Sequence, residues 1–341
     1  MEKITLNLSS PCDILIGEGI AGGFLKKKCA GRKTFVLADG SAADGTGFSF
    51  GFCDSPCRFR GGEENKTFSV LGEILSAVAE RRIGRDGLFV SFGGGVVGDL
   101  GGLAASLYMR GIEHVLVPTT LLAMADSSVG GKTAVDFGKY KNLVGTFYQP
   151  STVVVDTAFL SSLPDREWLS GRGEIVKTAL LSPEIGKKIR ENPEGKDERS
   201  LLVSLLPDCI RFKGGIVAED EREKTGRRKI LNAGHTVGHM LEMNYGEKSH
   251  GEYVLEGLYY ENRMAEALGI VDSARARETE EFLLSYLPRP HYVNLRKGAE
   301  TAFLDKKNRG DLVSFVAVAG EGRTEEVFLT QKRFGELLDT L

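Results

Sequence analysis

LFVSFGGGVVGDLGGLAASLYMRG, residues 88–111, decides the fold. LFVSFG carries no charge and reads as a strand buried on both faces, the pattern of a parallel sheet covered by helices. It runs directly into glycines, and VGDLGGLAASLYMRG (97–111) then takes helical spacing rich in small residues. Glycines let backbone N–H groups approach a phosphate, and a helix start favours its negative charge. SFGGGVVGDLGG (91–102) therefore resembles a pyrophosphate cradle, although its spacing departs from GxGxxG. A tight strand–helix turn with close helix packing would use the same glycines.

Outward from this stretch the alternation continues. TFVLADG (34–40), HVLVPTT (114–120) and TVVVDT (152–157) read as strands, and FSVLGEILSAVAERRIG (68–84) as a helix stopping at glycine. Strands alternating with helices predict a mostly parallel sheet. After about residue 160 the spacing turns helical, through LPDREWLSGRGEIVKTALL, LLVSLLPDCIRFKGGIVAED, HTVGHMLEMN and YVLEGLYYENRMAEALG. LVSFVAVAG (312–320) is the one clear strand candidate there, and RENPEGKDERS (190–200) reads as a solvated loop. The expectation is a Rossmann-like α/β nucleotide-binding domain over 1–160 and a mainly α-helical domain over 161–341. The active site is expected in the interdomain cleft, a preferred place for ligands.

The 341 residues are 41% hydrophobic and 27% charged, with a net charge of −3. That balance fits a globular protein and argues against a nucleic-acid or anionic-membrane partner. No run of about 18 apolar residues predicts a membrane span, and MEKITLNLSS lacks a signal-peptide core. Five scattered cysteines read as reduced thiols, hence a cytoplasmic protein.

Three of the five histidines cluster in ILNAGHTVGHMLE (230–242) and KSHGE. His235 and His239 are four residues apart, on one face of a helix. Catalytic zinc takes three protein ligands from imidazoles and carboxylates. His235 and His250 are two candidates, and Glu174, set in the apolar GRGEIVKTALL, is a third. Lys177, one turn on, offers Glu174 a plain salt bridge instead. His114 and His291 read as structural. Arg228, Asn232, His235 and His239 would share a face if that stretch were one helix. MADSSVGGKTAVDFGKYKNLVGT (124–146) adds Asp126, Lys132, Lys141 and Asn142. Arginine forks and lysines suit a small molecule with several anionic groups. Asp39, ending its strand, suits either a ribose hydroxyl or a turn. GGEENKT (61–67) places Glu63, Glu64 and Lys66 on a glycine-led turn.

Taken together, GGEENKT, GGGVVGDLGG, YMRG, VPTTLLAMADSSVGGKTAV, KNLVGTFYQP, LPDREWLSGRGEIVK, LNAGHTVGH, HGE and DKK resemble the 3-dehydroquinate synthases of the sugar-phosphate cyclase superfamily, in that family's order and over nearly the whole chain. The resemblance implies NAD and Zn2+ (or Co2+) as cofactors, with Glu174, His235 and His250 as metal ligands. It implies a nucleotide site of Asp39, Gly61, Gly62, Glu63, Glu64, Asn65, Lys66, Gly95, Val96, Val97, Gly98, Asp99, Thr119, Thr120, Lys132 and Lys141, closed by Phe159, Leu160, Ser161 and Ser162. It assigns Asp126, Lys132, Asn142, Lys177, Lys213, Arg228, Asn232, His239 and Lys306 to the substrate. Lys132, Asn142, Lys306 and Arg110 would hold phosphate, Arg228 with Lys213 a carboxylate, and His239 would move a proton. Arg110 would reach a neighbouring subunit, which implies a homodimer. The reaction implied converts 3-deoxy-D-arabino-heptulosonate 7-phosphate into 3-dehydroquinate and phosphate, the second step of the shikimate pathway, which leads to chorismate and the aromatic amino acids. Asp136, Tyr140, Gly173 and Arg227 depart from the residues common in that family.

Overall fold

The computed structural model describes residues 1–53, 55–138, 140–192, 194–287, 290, 295–303, 310–320 and 322–341. It divides into two compact units, residues 1–164 with 213–222, and residues 165–212 with 223–341.

The first unit is organised by a seven-stranded sheet. Its strands are β1 (Glu2–Leu6), β2 (Cys12–Gly17), β3 (Thr34–Asp39), β4 (Cys57–Phe59), β5 (Leu88–Gly93), β6 (Glu113–Pro118) and β9 (Thr152–Asp156), in the order β1-β2-β9-β6-β5-β3-β4. Only the β1–β2 pair among them is antiparallel. Every residue of β5 and β9 is buried, as in central strands of a parallel sheet, and the one charge among them, Asp156 at the end of β9, accepts from Gly19 N and Ala21 N. Between β6 and β9 the chain makes an antiparallel hairpin of β7 (Lys132–Phe137) and β8 (Tyr140–Phe147), irregular between Val135 and Phe137.

Helices α1 (Ala21–Cys29), α2 (Gly40–Thr46), α3 (Phe68–Glu80) and α4 (Gly95–Leu107) belong to this unit. The α3 helix starts where Thr67 Oγ1 accepts from Val70 N, and it buries Leu71, Ile74 and Val78 at helical spacing. Those side chains share a core with Phe35, Phe89 and Leu100. The α4 helix packs tightly on β5: a Cβ on Gly101 would lie 1.9 Å from Ser91 Oγ. The close-packing role of its glycines is therefore real. The helix stops at Leu107, short of the expected 111, because Met109 and Arg110 take φ of 47° and 64°, outside the helical region.

The second unit contains α5 (Asp165–Leu181), α6 (Pro183–Glu191), α7 (Glu198–Ser204), α9 (His235–Tyr245), α10 (His250–Ala267), α11 (Ser273–Leu284), α12 (Leu295–Ala302) and α13 (Gln331–Leu338), with an antiparallel hairpin of β10 (Leu312–Val318) and β11 (Thr324–Thr330). The α8 helix (Leu206–Glu219) begins among residues of the second unit and ends in the first, so Lys213 belongs with the first. The strands expected at 34–40, 88–95, 114–120, 152–157 and 312–320 are present. The strands β1, β2, β4, β7, β8 and β11 were not expected.

Candidate active site

The first unit supplies the glycine turn. Gly94 precedes α4 with no side-chain cap, so the first backbone N–H groups of the helix have no side-chain acceptor at that position. Gly94, Gly95, Gly98, Asp99, Ser128 and Lys132 line one depression. Two hydroxyls nearby, Thr119 Oγ1 and Ser128 Oγ, are buried with no hydrogen-bond partner. Buried polar atoms are normally satisfied, and such orphans suit an incoming polar ligand. Asp39 caps α2, its Oδ1 accepting from Ala42 N at 3.1 Å, so the turn role foreseen for it is realised. Its Oδ2 faces Gly61 so closely that a Cβ there would lie 2.1 Å away. Phe159 and Leu160 point into the core, where the Phe159 ring packs edge-on to Phe48 and Phe92, while Ser161 and Ser162 are exposed.

Lys66 is the polar centre of this unit. It follows the turn Glu63–Asn65 and is only 4% exposed. Its Nζ lies 2.5 Å from Asp99 Oδ2 and 3.9 Å from Glu63 Oε1, and donates to Asn142 Oδ1. Burial would lower the pKa of this ammonium, but Asp99 and Glu63 outweigh burial and raise it. A circuit closes through the hairpin. Asp136 N donates to Lys66 O at 2.8 Å, and Asp136 Oδ1 accepts from Asn142 N at 2.7 Å. Asn142 is held at φ 53° by these bonds. Asp126 sits on the turn Ala123–Ser127, and Lys213 Nζ reaches both its Oδ2 and its carbonyl at 2.8 Å. Lys132, Lys141 and Arg110 are exposed, and Glu64 and Asn65 lie on the same turn as Glu63.

The second unit gathers the histidines. Glu174, on α5, is 2% exposed. Its Oε1 lies 3.4 Å from His235 Nε2 and 3.3 Å from His250 Nε2, while Lys177 Nζ is 2.5 Å from Oε2. The metal-type cluster and the salt bridge, framed as alternatives in the sequence, thus coexist on one carboxylate. Burial would raise its pKa, but Lys177, His235 and His250 hold the carboxyl well below its ordinary value. Burial pushes His235 down to about 3 despite Glu174, so its imidazole is neutral. His250 is also pushed down by burial, but Glu174 and Glu242 carry it up to about 9. Ligand atoms about 2.0–2.1 Å from a tetrahedral zinc stand about 3.3–3.4 Å apart. The two imidazole–carboxylate separations match that spacing, so the residues present fit a divalent ion.

His239, one turn along α9, brings its ring to 5.2 Å from His235 and 5.8 Å from His250, centroid to centroid. Nitrogens of these three rings lie within 4.8 Å of one another. The Glu174 contacts are shorter, which favours Glu174 over His239 beside His235 and His250. Arg228 and Asn232 do not continue α9. They lie on a separate 3-10 turn, Arg227–Asn232, and Gly234 at φ 76° breaks the chain direction. Arg228 is buried, with Nε 3.8 Å from Glu223 Oε1. Lys177 also donates to Leu231 O at 2.9 Å, tying α5 to that turn. Lys306 and His291 lie outside the described residues. His114 is buried, bonded through Nε2 to Ser91 Oγ, and pushed down to about 3 by burial, as a structural histidine would be.

Two carboxylates escaped the sequence reading. Glu242 Oε2 lies 3.1 Å from His250 Nδ1. Glu261 accepts from the backbone N–H groups of Gly234, Thr236 and Val237. Glu242 is the last residue of the quoted ILNAGHTVGHMLE, and its place two turns after His235 was the available signal.

A parallel sheet with a glycine-led helix start, and a buried carboxylate shared by two imidazoles, define an α/β protein whose residues could hold a nucleotide and a divalent ion. The family models for the 3-dehydroquinate synthase N-terminal and C-terminal regions match residues 56–170 and 171–308. A 3-dehydroquinate synthase of Alkaliphilus metalliredigens is 36% identical, the match covering 100% of this chain and 99% of that one. Another, of Leptospira interrogans serovar copenhageni, is 43% identical over 77% of this chain and 74% of its own. The chain belongs to the 3-dehydroquinate synthase family. Its fold is also that of a 2-deoxy-scyllo-inosose synthase solved with carbaglucose-6-phosphate, NAD+ and Co2+, 23% identical, TM-score 0.85, with 99% of each chain covered.

Proposed function

We propose that this chain converts 3-deoxy-D-arabino-heptulosonate 7-phosphate into 3-dehydroquinate and phosphate, as a lyase using NAD and a divalent metal, zinc or cobalt. The carrying observation is Glu174, whose two oxygens are divided between two imidazoles and one ammonium. Glu174, His235 and His250 hold the metal. The uncapped start of α4, Asp39, Gly61, Gly62, Lys66, Asp99, Thr119 and Thr120 hold the nucleotide. When bound, the pair supplies a Lewis acid at the C5 hydroxyl and a hydride acceptor that returns its hydride, so the conversion has no net redox change.

The chain's own residues bind, orient and move protons. His239 takes the C5 hydroxyl proton, work suited to an imidazole near pH 7. Asn142 spends its carbonyl end on Lys66, which turns its amide nitrogen to the role of donor. With Lys132, Arg110 and Lys306 it is assigned to the substrate phosphate. Arg228 and Lys213 are assigned to the carboxylate, and Asp126 keeps the Lys213 ammonium in place. Fixing both ends of the substrate holds the reacting carbon still between them.

The working unit is read as a homodimer in the cytoplasm. The hairpin exposes Phe137, Tyr140, Leu143, Val144 and Phe147, and Leu107 at the end of α4 and Met109 just beyond it are exposed too, the kind of apolar surface that suits a subunit contact. Among the described residues no helix is long and apolar enough to cross a membrane.

The test is incubation with the heptulosonate phosphate, Zn2+ and a catalytic amount of NAD. One phosphate released per substrate without NADH build-up is expected. Lasting NADH build-up would assign a dehydrogenase instead, and no turnover would overturn the proposal.

A further inference from the structure

The α9 and α10 helices each begin with a candidate metal ligand, and each returns a carboxylate to the start of the other. His235 is the first residue of α9 and His250 the first of α10. Glu261, three turns into α10 and 1% exposed, accepts from Gly234 N at 2.8 Å, Thr236 N at 3.0 Å and Val237 N at 3.1 Å, the donors that flank His235. Glu242, two turns into α9, lies with Oε2 3.1 Å from His250 Nδ1. The two helices come close enough for this because they meet at glycine: a Cβ on Gly257 would lie 1.8 Å from Gly234 O.

We propose that Glu242 and Glu261 are a reciprocal pair of positioning residues that assembles the metal site before metal arrives. The proposal rests on Glu174, His235 and His250 being the ligands. Glu261 satisfies N–H groups at the start of α9 and places negative charge at the positive end of that helix. It thereby fixes the backbone that carries His235, whose Nδ1 meets Ala233 O at 3.0 Å. Glu242 accepts from His250 Nδ1–H and so turns Nε2 toward Glu174 Oε1, 3.3 Å away, as the nitrogen that gives up its proton to a metal. Each imidazole is therefore set in ring orientation from its far side, with Nε2 toward Glu174. One is held by a backbone carbonyl under the control of Glu261, the other by Glu242 directly.

The experiment is metal affinity, measured by competition of Zn2+ against a chromophoric chelator and by Co2+ absorption spectra. It compares wild type, His250→Ala, Glu242→Ala, Glu242→Gln and Glu261→Gln, all first stripped of metal. Loss of the far-side partner of a ligating histidine weakens metal binding by roughly 10–100-fold. Glu242→Ala should show that loss with only a small fall in the melting temperature of the stripped protein, because its contact with His250 is partly exposed. Glu242→Gln keeps an acceptor oxygen and should stay within about threefold of wild type. Glu261→Gln should lower melting temperature and metal affinity together. If Glu242→Ala binds Zn2+ as wild type does while His250→Ala does not, the ligand reading stands and the positioning role is overturned. If Glu261→Gln melts earlier yet keeps wild-type affinity, its half of the pair is overturned. If wild type binds no metal, or His250→Ala keeps full binding, the ligand reading itself fails and the proposal falls with it.

Discussion

Lys177→Met isolates the charge that faces Glu174, because methionine keeps most of the aliphatic stem. Both partners are 2% exposed and 2.5 Å apart, so the pair is fully buried. Removing one partner of such a pair costs about 3–5 kcal/mol, since the other charge stays buried. The lost donor to Leu231 O adds about 1 kcal/mol. Metal changes this sum. A divalent cation on Glu174 would supply the positive charge that methionine removes, and Lys177 itself repels that cation. The variant should therefore lose about 4–6 kcal/mol when stripped of metal, a sum of the two terms above. With saturating zinc it should lose at least ~1.4 kcal/mol less, equivalent to tenfold tighter metal binding. Urea unfolding with chelator and with zinc, followed by circular dichroism, measures both. An equal loss in the two conditions would show that no cation shares Glu174. A loss under about 1 kcal/mol would refute the buried pair.

Three further outcomes are expected. In stripped protein His250 is carried up to about 9 by Glu174 and Glu242, so zinc binding near pH 7.5 should displace close to one proton from it. Calorimetry in buffers of different ionisation enthalpy counts that proton. Glu113 is held down to about 2 from 4.5, burial being outweighed by Lys28 and Arg32 at 2.8 and 2.7 Å and by Ser151. A depressed carboxyl stabilises the fold above its unfolded pKa, and the gain is lost as pH falls from 4.5 toward 2. After discounting for solvent, Glu113→Gln should cost ~1 kcal/mol at pH 7 and flatten the acid limb of a melting-temperature profile. Gly173→Ala restores the residue common in the family, yet its Cβ would lie 2.1 Å from Gly251 O, between Glu174 and His250 in their two helices. Prising α5 from α10 should cost about 1–3 kcal/mol and weaken zinc binding, read by urea unfolding and chelator competition.

The sequence made the local features plain and hid the ones set by packing. Strands β3, β5, β6 and β9 were legible because central parallel strands are short apolar runs with charge only at their ends. The β8 strand, YKNLVGTF, was not, because its mostly exposed face carries no alternation to read. Helix 97–111 was drawn too long because nothing in YMRG announces two left-handed residues. The Glu174 and histidine cluster was legible because motif spacing and a carboxylate in an apolar helix are both local signals. The condition that would put Arg228, Asn232, His235 and His239 on one helical face is not met, because Gly234 at φ 76° separates a 3-10 turn from α9. Nothing in the sequence singles out Glu261, and only its position two turns after His235 marks Glu242. Only the pairing of α9 with α10 turns them inward.

The most direct measurement follows the hydride. Heptulosonate phosphate carrying deuterium at C5 is turned over with catalytic unlabelled NAD, and the carbocyclic product is analysed by mass spectrometry. A transient oxidation in which the nucleotide returns what it took predicts deuterium retained in the product and essentially none in the recovered nucleotide. Loss of the label to the nucleotide pool or to solvent would contradict a redox-neutral cyclisation by this chain.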